Sequence, residues 1–402
     1  MSKKITIIGI NYYPEDSAIG LYTTQKAEYL VKHGFEVTVI TGFPYYPQWK
    51  IWDAYREKPS FFTEMINGVR VIRSKQYVPI NPTFSKRLVH LISFTFGNFI
   101  NLFKVSKPDI IISIIPFTTS AFLGWLLKLR YKSKLWVHIQ DFEFDAAMES
   151  GLLKGNKKFI FRALMWVEKK VLNKADTVST ISHGMIKKLN EKTNVKSYYL
   201  TNWIDVTLFN NQDKNVHSYL NSDKFKILYS GNVGAKQDWK LFVEFIEEIK
   251  TLSNLEVVLV GEGAEKENVV ASLKKFKFVK HYNLVPFEDL PILLASADLH
   301  VLFQKRDVVD TVMPSKLLGM MASGKPSIVT GNEKSEVATV LKDSGGGFYF
   351  DGTSISDIVR SVKDLKENKA LKESLGNNAK KYVEEKFSQQ KVLNKFVKEL
   401  VK

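Results

Sequence analysis

Pro314, Ser315 and Lys316 stand where DTVMPSKLLGMMASGKP (310–326) follows LLASADLHVLF (293–303), an order that reads as strand, loop, short helix and strand. Such a turn presents a hydroxyl, an ammonium and free backbone N–H groups at a helix start, the donors a diphosphate needs from a protein that supplies no metal. A cation at a helix start is disfavoured unless an anion joins it. Lys316 therefore carries more weight than Lys236, which alone would be a solvated surface lysine. Gly231, Asn232 and Gly234 after YS, and Gly261, Glu262 and Gly263 after VLV, add loops where glycines let the backbone approach phosphate oxygens. Gly-Glu-Gly also reads as a plain strand-to-helix turn. With both lysines present, the expected chemistry is stabilisation of a departing nucleoside diphosphate.

The elements that must position these residues follow from periodicity. KITIIGI, a helix at 21–32, EVTVIT, the Asn67-Gly68 hairpin EMINGVRVIR, a helix at 84–105, DIIISII, a helix at 119–130, KLWVHI, a helix at 157–173, DTVSTIS and a helix at 183–190 form one series. KFKILYS, a helix at 237–250, LEVVLVG, FKFVKHY, ADLHVLF, KPSIVTG and GGFYF form a second. Continuous apolar strands predict parallel sheets buried on both faces, hence an α/β protein of two tandem Rossmann-like domains. Apolar periodicity stops at 202–215, which predicts domains at 1–205 and 206–387, with a terminal amphipathic helix in 388–402. Ligands of such folds sit beyond the carboxyl ends of the strands, where Val285 joins the donor-side candidates. Tyr13, Glu15, Tyr45 and Tyr46 lie on loops after the first two strands, amid Tyr12, Phe43, Trp49, Trp52 and Tyr55. These are acceptor-side candidates: flat rings stack on sugar faces, and aromatic loop packing is the equally open alternative.

NYYPEDSAIGLYTTQ (11–25), VITGFPYYPQW (39–49), HIQDFEFDAA (138–147), YSGNVGAKQDW (229–239), VGEG (260–263), VPFEDLPILLASAD (285–298) and the 310–326 stretch together resemble glycosyltransferase family 4. Within it the likeness is to O-antigen, capsule and colanic-acid enzymes of the L-fucosamine and fucosyl transferase type. The resemblance implies the GT-B architecture, two Rossmann-like domains facing across a cleft with the C-terminal helix packing back on the first. It also implies that Gly20 belongs to a loop beneath the donor diphosphate, that His138 faces the donor sugar, and that Ser315 binds donor. For His138 the alternative is a structural histidine capped by a backbone carbonyl. The pattern departs from the family at Gly319 and near Thr311, where many retaining members carry glutamates, and at Asn232, where arginine is common. Asp310 is then the carboxylate left to serve the donor sugar. Asp141, Glu143 and Asp145 do not form a true D-x-D metal motif.

The 402 residues contain no cysteine, which excludes disulfides and thiolate sites, and Lys3 and Lys4 precede only a short apolar run. A cytoplasmic address is expected. The net charge of +16 is lopsided: residues 1–205 hold 29 Lys and Arg against 16 Asp and Glu, and 206–402 hold 29 against 26. No nucleic-acid motif accompanies the excess, so an anionic membrane surface or a diphosphate-bearing acceptor is the expected partner. Leu88–Phe103 is uncharged but shorter than the roughly 20 residues of a membrane span. The hydrophobic stretches 84–104 and 121–134 are candidates to touch that membrane; the alternative is a layer helix whose apolar face covers the sheet, with Lys86, Arg87, Lys104, Lys107, Lys128, Arg130, Lys132 and Lys134 as the membrane candidates.

The expected activity is retaining, metal-independent transfer from a UDP-sugar, or a GDP-sugar, to a lipid-linked saccharide at the inner face of the plasma membrane, with no cofactor. A GT-B nucleotide-sugar epimerase and a non-catalytic carbohydrate binder remain alternatives.

Overall fold

Runs such as Ile110–Ile115, buried at every position, fix the architecture. The structure, a computed structural model, describes residues 2–16, 18–116, 118–142, 157–210, 216–307, 315–352 and 354–402. The chain divides into two units, Met1–Thr201 with Phe396–Lys402, and Asn202–Lys395.

In the first unit the strands are β1 (Lys4–Ile8), β2 (Glu36–Gly42), β3 (Phe61–Ile66), β4 (Val69–Ser74), β5 (Ile110–Ile115), β6 (Lys134–Ile139), β7 (Thr177–Thr180) and β8 (Ser197–Tyr199). They form one sheet in the order β3-β4-β2-β1-β5-β6-β7-β8. Every neighbour pair is parallel except β3 and β4, joined by the Asn67-Gly68 turn with φ of 49° and 81°. Two positive φ values in succession are what Asn-Gly supplies cheaply.

In the second unit β9 (Phe225–Ser230), β10 (Leu255–Val260), β11 (Val279–Tyr282), β12 (Leu299–Phe303), β13 (Ser327–Thr330) and β14 (Gly347–Phe350) form a parallel sheet in the order β11-β10-β9-β12-β13-β14. Chain order runs outward from β9 to β11 on one side and from β12 to β14 on the other. The β9/β12 seam is thus the topological switch point, where such sheets bind ligands.

The structure differs from the sequence expectation in particulars. The helix expected at 84–105 ends at Asn101 and tightens into a 3-10 turn at Leu102–Lys104, and the short strand β8 adds to the expected series. The unit boundary falls at Asn202 rather than after Asp205, because Ile204 pairs with Ser388 and exchanges backbone bonds with Phe387 and Gln389. The division also crosses the terminal helix Gln389–Leu400. Phe396 and beyond belong to the first unit, where the Phe396 ring meets Trp136 edge-on with centroids 5.2 Å apart.

Candidate active site

In the second unit the loop after β9 and the helix after β12 meet through one side chain. Lys316 lies in the first turn of the helix Ser315–Ala322, and its Nζ donates to the Tyr229 hydroxyl at 3.1 Å and sits 4.8 Å from the centre of that ring. The Tyr229 hydroxyl donates in turn to the Asn232 carbonyl at 2.6 Å. A Cβ on Gly231, whose φ is +127°, would lie 3.2 Å from Lys316 Nζ, so the ammonium rests directly on the glycine loop. Burial lowers the pKa of Lys316 to about 8 and pushes the Tyr229 phenol well above its ordinary value. A desolvated cation against a glycine loop at the end of a strand is arranged to receive an anion.

The loops after β9 and β10 interlock. Val233 N–H donates to the Glu262 carbonyl at 2.8 Å and Glu265 N–H to the Val233 carbonyl at 3.0 Å. A Cβ on Gly261 would meet the Gly231 carbonyl at 2.4 Å, and one on Gly263 (φ +153°) would meet the Val233 carbonyl at 2.3 Å. These contacts alone account for both glycines. Glu262 is ion-paired with Lys266 at 2.6 Å, and half-buried Val285 packs on the core of the unit. Lys236 is exposed, its carbonyl accepting from Lys305 N–H at 3.1 Å. Asp310, Thr311 and Pro314 lie outside the described residues, as does the side chain of Ser315.

In the first unit His138 is 1% exposed near the end of β6. Its Nδ1 lies 2.9 Å from Ser179 Oγ and its Nε2 3.0 Å from Gln140 Nε2. Gln140 Nε2 can only donate, so His138 Nε2 accepts and Nδ1 carries the proton toward Ser179, which also accepts from Trp136 Nε1 at 2.7 Å. Burial, followed by the nearby Lys26, holds the pKa well below the usual imidazole range, so the ring is neutral. Its partners are side chains and not the backbone carbonyl of the structural alternative.

The acceptor-side candidates divide in two. Tyr13 and Tyr46 are 47% and 39% exposed, while Tyr45 and Glu15 are buried. Glu15 Oε1 accepts from the N–H groups of Tyr45 (2.7 Å) and Tyr46 (2.8 Å), and Oε2 from Asn11 Nδ2 (2.8 Å). Burial raises its pKa against these stabilising bonds. Arg73, wholly buried, donates to the carbonyls of Gly42 (2.9 Å) and Tyr13 and pairs with Glu64 at 2.5 Å. Glu15 and Arg73 therefore lock both loops and turn Tyr13 and Tyr46 outward. Tyr12, Phe43, Tyr45 and Tyr55 are core. Gly20 lies inside the helix Ala18–Lys32, where a Cβ would meet the Glu15 carbonyl at 2.7 Å.

Asp141 is described, but Glu143 and Asp145 lie outside the described residues. Sequence reasoning did not single out Tyr229, Gln140, Ser179, Arg73 or Lys26. Lys26 had no signal at all: it is fully buried, 5.6 Å from the Phe396 ring, with its pKa lowered to about 7 by burial.

Two family models match the chain, Glycosyl transferase 4-like domain over 17–197 and Glycosyl transferases group 1 over 190–382. It is 31% identical, across 99% of both chains, to WcaI of Escherichia coli K12, whose name provisionally assigns it glycosyl transfer in colanic acid biosynthesis. It is 24% identical to an uncharacterized glycosyltransferase of Methanocaldococcus jannaschii, over 83% of this chain and 84% of that one. Among solved structures, sucrose-phosphate synthase of Thermosynechococcus elongatus superposes with a TM-score of 0.73 at 15% identity over 98% of each chain. HepE of Anabaena in complex with UDP-glucose does so with 0.67 at 12% over 99% of each. The chain belongs to the group 1, 4-like glycosyl transferases. It is a glycosyltransferase with the α/β, doubly Rossmann-like GT-B fold.

Proposed function

We propose that the chain transfers a hexose or deoxyhexose, of the L-FucNAc or fucose type, from a nucleoside-diphosphate sugar bound by the second unit. The acceptor is a lipid-linked saccharide met by the first unit, with Tyr13 and Tyr46 on the acceptor side. The observation carrying this reading is Lys316 Nζ resting on the Gly231 loop at the β9/β12 switch point. UDP is the expected nucleotide, a reading supported by the UDP-glucose complex of HepE, with GDP the competitor. WcaI's name supports a place in surface polysaccharide synthesis, O-antigen or capsule included.

In the proposed step the bond between the anomeric carbon and the diphosphate oxygen breaks while the acceptor oxygen bonds to the same face. The acceptor proton passes to the departing phosphate oxygen, so configuration is retained. Lys316, Lys236, the backbone at Gly231 and Asn232, and the helix start at Ser315 stabilise the leaving diphosphate without a divalent ion. Gly261 and Glu262 brace that loop, and Val285 lines the donor side. Asp310 serves the donor sugar, and His138 acts on it through Gln140. Gly20 lies beneath the diphosphate.

A cytoplasmic enzyme peripheral to the inner face of the plasma membrane fits the basic first half. Among the described residues no helix is long and apolar enough to cross a membrane.

A thermal-shift panel of UDP, GDP, ADP and their sugars tests the donor assignment, since a ligand bound only by the folded protein raises the midpoint by mass action. UDP or GDP should stabilise the wild type and lose that effect in Lys316→Ala. No shift with any nucleotide would contradict the proposal.

A further inference from the structure

The helix Phe84–Asn101 buries polar residues and exposes most of its apolar ones. Its inward face carries His90, Asn98 and Asn101, all fully buried alongside Leu91 and Phe94, and local bonds meet part of their polar demand, Asn101 Oδ1 having no hydrogen-bond partner. His90 Nδ1 bonds the Tyr77 carbonyl, Asn98 Nδ2 donates to the Phe94 carbonyl at 3.1 Å, and Asn101 Nδ2 donates to Asn98 Oδ1 at 3.1 Å. Gly97 lets the helix approach Ser74 of β4, where a Cβ would fall 2.7 Å from Ser74 Oγ. Leu88, Val89, Ile92, Phe96, Phe99 and Ile100 face outward, and Phe103 in the following turn continues the stripe. Phe96 is 70% and Phe103 63% exposed. Of the two sequence readings of 84–104, the sheet-covering one is met by Leu91 and Phe94, while most of the apolar residues turn outward.

The stripe does not end with the helix. Phe122 and Leu129 of the neighbouring helix Thr118–Tyr131 are exposed beside it. Cations frame it: Lys86 and Arg87 at one end, Lys104, Lys107 and Arg130 at the other, all exposed. The Arg130 guanidinium lies 5.0 Å from the Phe103 ring, and the Lys104 ammonium 4.9 Å from the Phe61 ring. Lys128, a membrane candidate in the sequence, is instead paired with Asp176 at 2.7 Å. Between Glu64 and Asp141 the sole acidic residue is Asp109, which accepts from the Lys4 N–H at 2.7 Å.

We propose that Phe84–Lys104 is an interfacial insertion helix, its Phe96 and Phe103 stripe entering the acyl boundary of an anionic bilayer while the flanking cations hold the lipid headgroups. An apolar face of this size is unfavourable in water unless something covers it. Burying the polar face against the protein and turning the apolar one outward suits a helix lying in the headgroup plane. A second copy is disfavoured as the cover, because a two-fold contact across this face would set the framing cations against one another. The inference deepens the membrane reading above and rests on it, replacing a purely electrostatic contact by insertion.

The test compares wild type, Phe96→Ser/Phe103→Ser, and Arg130→Glu/Lys132→Glu/Lys134→Glu in co-sedimentation with phosphatidylcholine vesicles containing or lacking phosphatidylglycerol, at low and high salt. Bromolipid quenching of an added Phe96→Trp, over the wild-type background, reports depth. Expected are wild-type binding to anionic vesicles that persists in part at high salt, a loss of about tenfold or more in the double serine variant, and extra quenching at position 96. The serine variant should keep its melting midpoint and its nucleotide binding, since both side chains are exposed. If the charge-reversed variant loses binding while the serine variant does not, insertion is overturned and the electrostatic membrane reading stands. If wild type ignores anionic vesicles, both fail. A wild-type dimer that the serine substitutions dissociate, without vesicle binding, would assign the face to a second copy and also overturn the proposal.

Discussion

Lys316 Nζ and Tyr229 Oη, 87 positions apart in sequence, lie 3.1 Å apart in space, and the phenol passes the connection on to the Asn232 carbonyl at 2.6 Å. The charge and the glycine loop are thereby held in one geometry before any ligand arrives. A donor fixed in this way loses little reorganisation energy at the moment charge develops.

Replacing Lys316 by Ala is expected to lower turnover by about 10²–10³, the scale of losing one preorganised charge stabiliser. Tyr229→Phe keeps the ring and removes the hydrogen bond, for an expected loss of about tenfold. Circular dichroism confirms folding and steady-state kinetics reads the effect. Wild-type turnover in a folded Lys316→Ala protein would remove this residue from the mechanism.

The pH dependence follows from the same side chain. Burial sets the pKa of Lys316 at about 8 against an ordinary 10.5. A diphosphate favours the charged form, so binding raises that pKa and takes up a proton as the pH passes above about 8. UDP affinity should be full at pH 7 and weaken by roughly tenfold toward pH 9.5, with little slope in Lys316→Ala. Folding stability has the opposite sign. The folded pKa lies below the unfolded one, so this lysine's contribution improves as pH rises from about 8 to 10.5. Calorimetric titration across pH 7–9.5 checks the binding arm, and a flat wild-type profile would contradict it.

For His138→Ala, turnover is expected to fall while UDP affinity stays within a few-fold. The imidazole is bonded to Gln140 and Ser179 within the first unit, whereas the proposed nucleotide loops belong to the second. Because the ring is held neutral, no activity limb between pH 6 and 8 should disappear with it. Parallel loss of turnover, nucleotide affinity and melting midpoint would make His138 purely structural.

Much of this was legible along the chain. Strands such as Ile110–Ile115 announce themselves because both faces are buried and every position is apolar or small, and Asn67-Gly68 because few other pairs tolerate two positive φ values. The lysine at a helix start was legible as an electrostatic oddity. Tyr229 was not, since a tyrosine in an apolar strand looks like core, and only the fold brings Lys316 to its hydroxyl. Glu15 captures amides 30 and 31 residues away, and His138 finds Ser179 at a separation of 41. Periodicity showed that Phe84–Asn101 has an apolar face but not which way it turns. That orientation goes with the bonds of the Asn98 and Asn101 amides to Phe94 and Asn98 and with the room Gly97 leaves at Ser74.

Gly261→Ala tests the interlocked loops separately from the charge. The added methyl would stand 2.4 Å from a backbone carbonyl that has no rotamer to escape into. A destabilisation of about 1–3 kcal/mol is expected, read as a lowered melting midpoint. An unchanged midpoint would show that the loops yield more easily than the geometry implies.

The central claim is that Lys316, Lys236 and the helix start at Ser315 supply the positive potential for diphosphate departure. The measurement that reaches it most directly is product formation from the donor identified in the nucleotide panel, in excess EDTA against added Mg²⁺ or Mn²⁺. Rates within a few-fold of one another are predicted, the residual difference reflecting metal binding to the nucleotide in solution. Transfer abolished by EDTA and restored by the metal would contradict a lysine-based site.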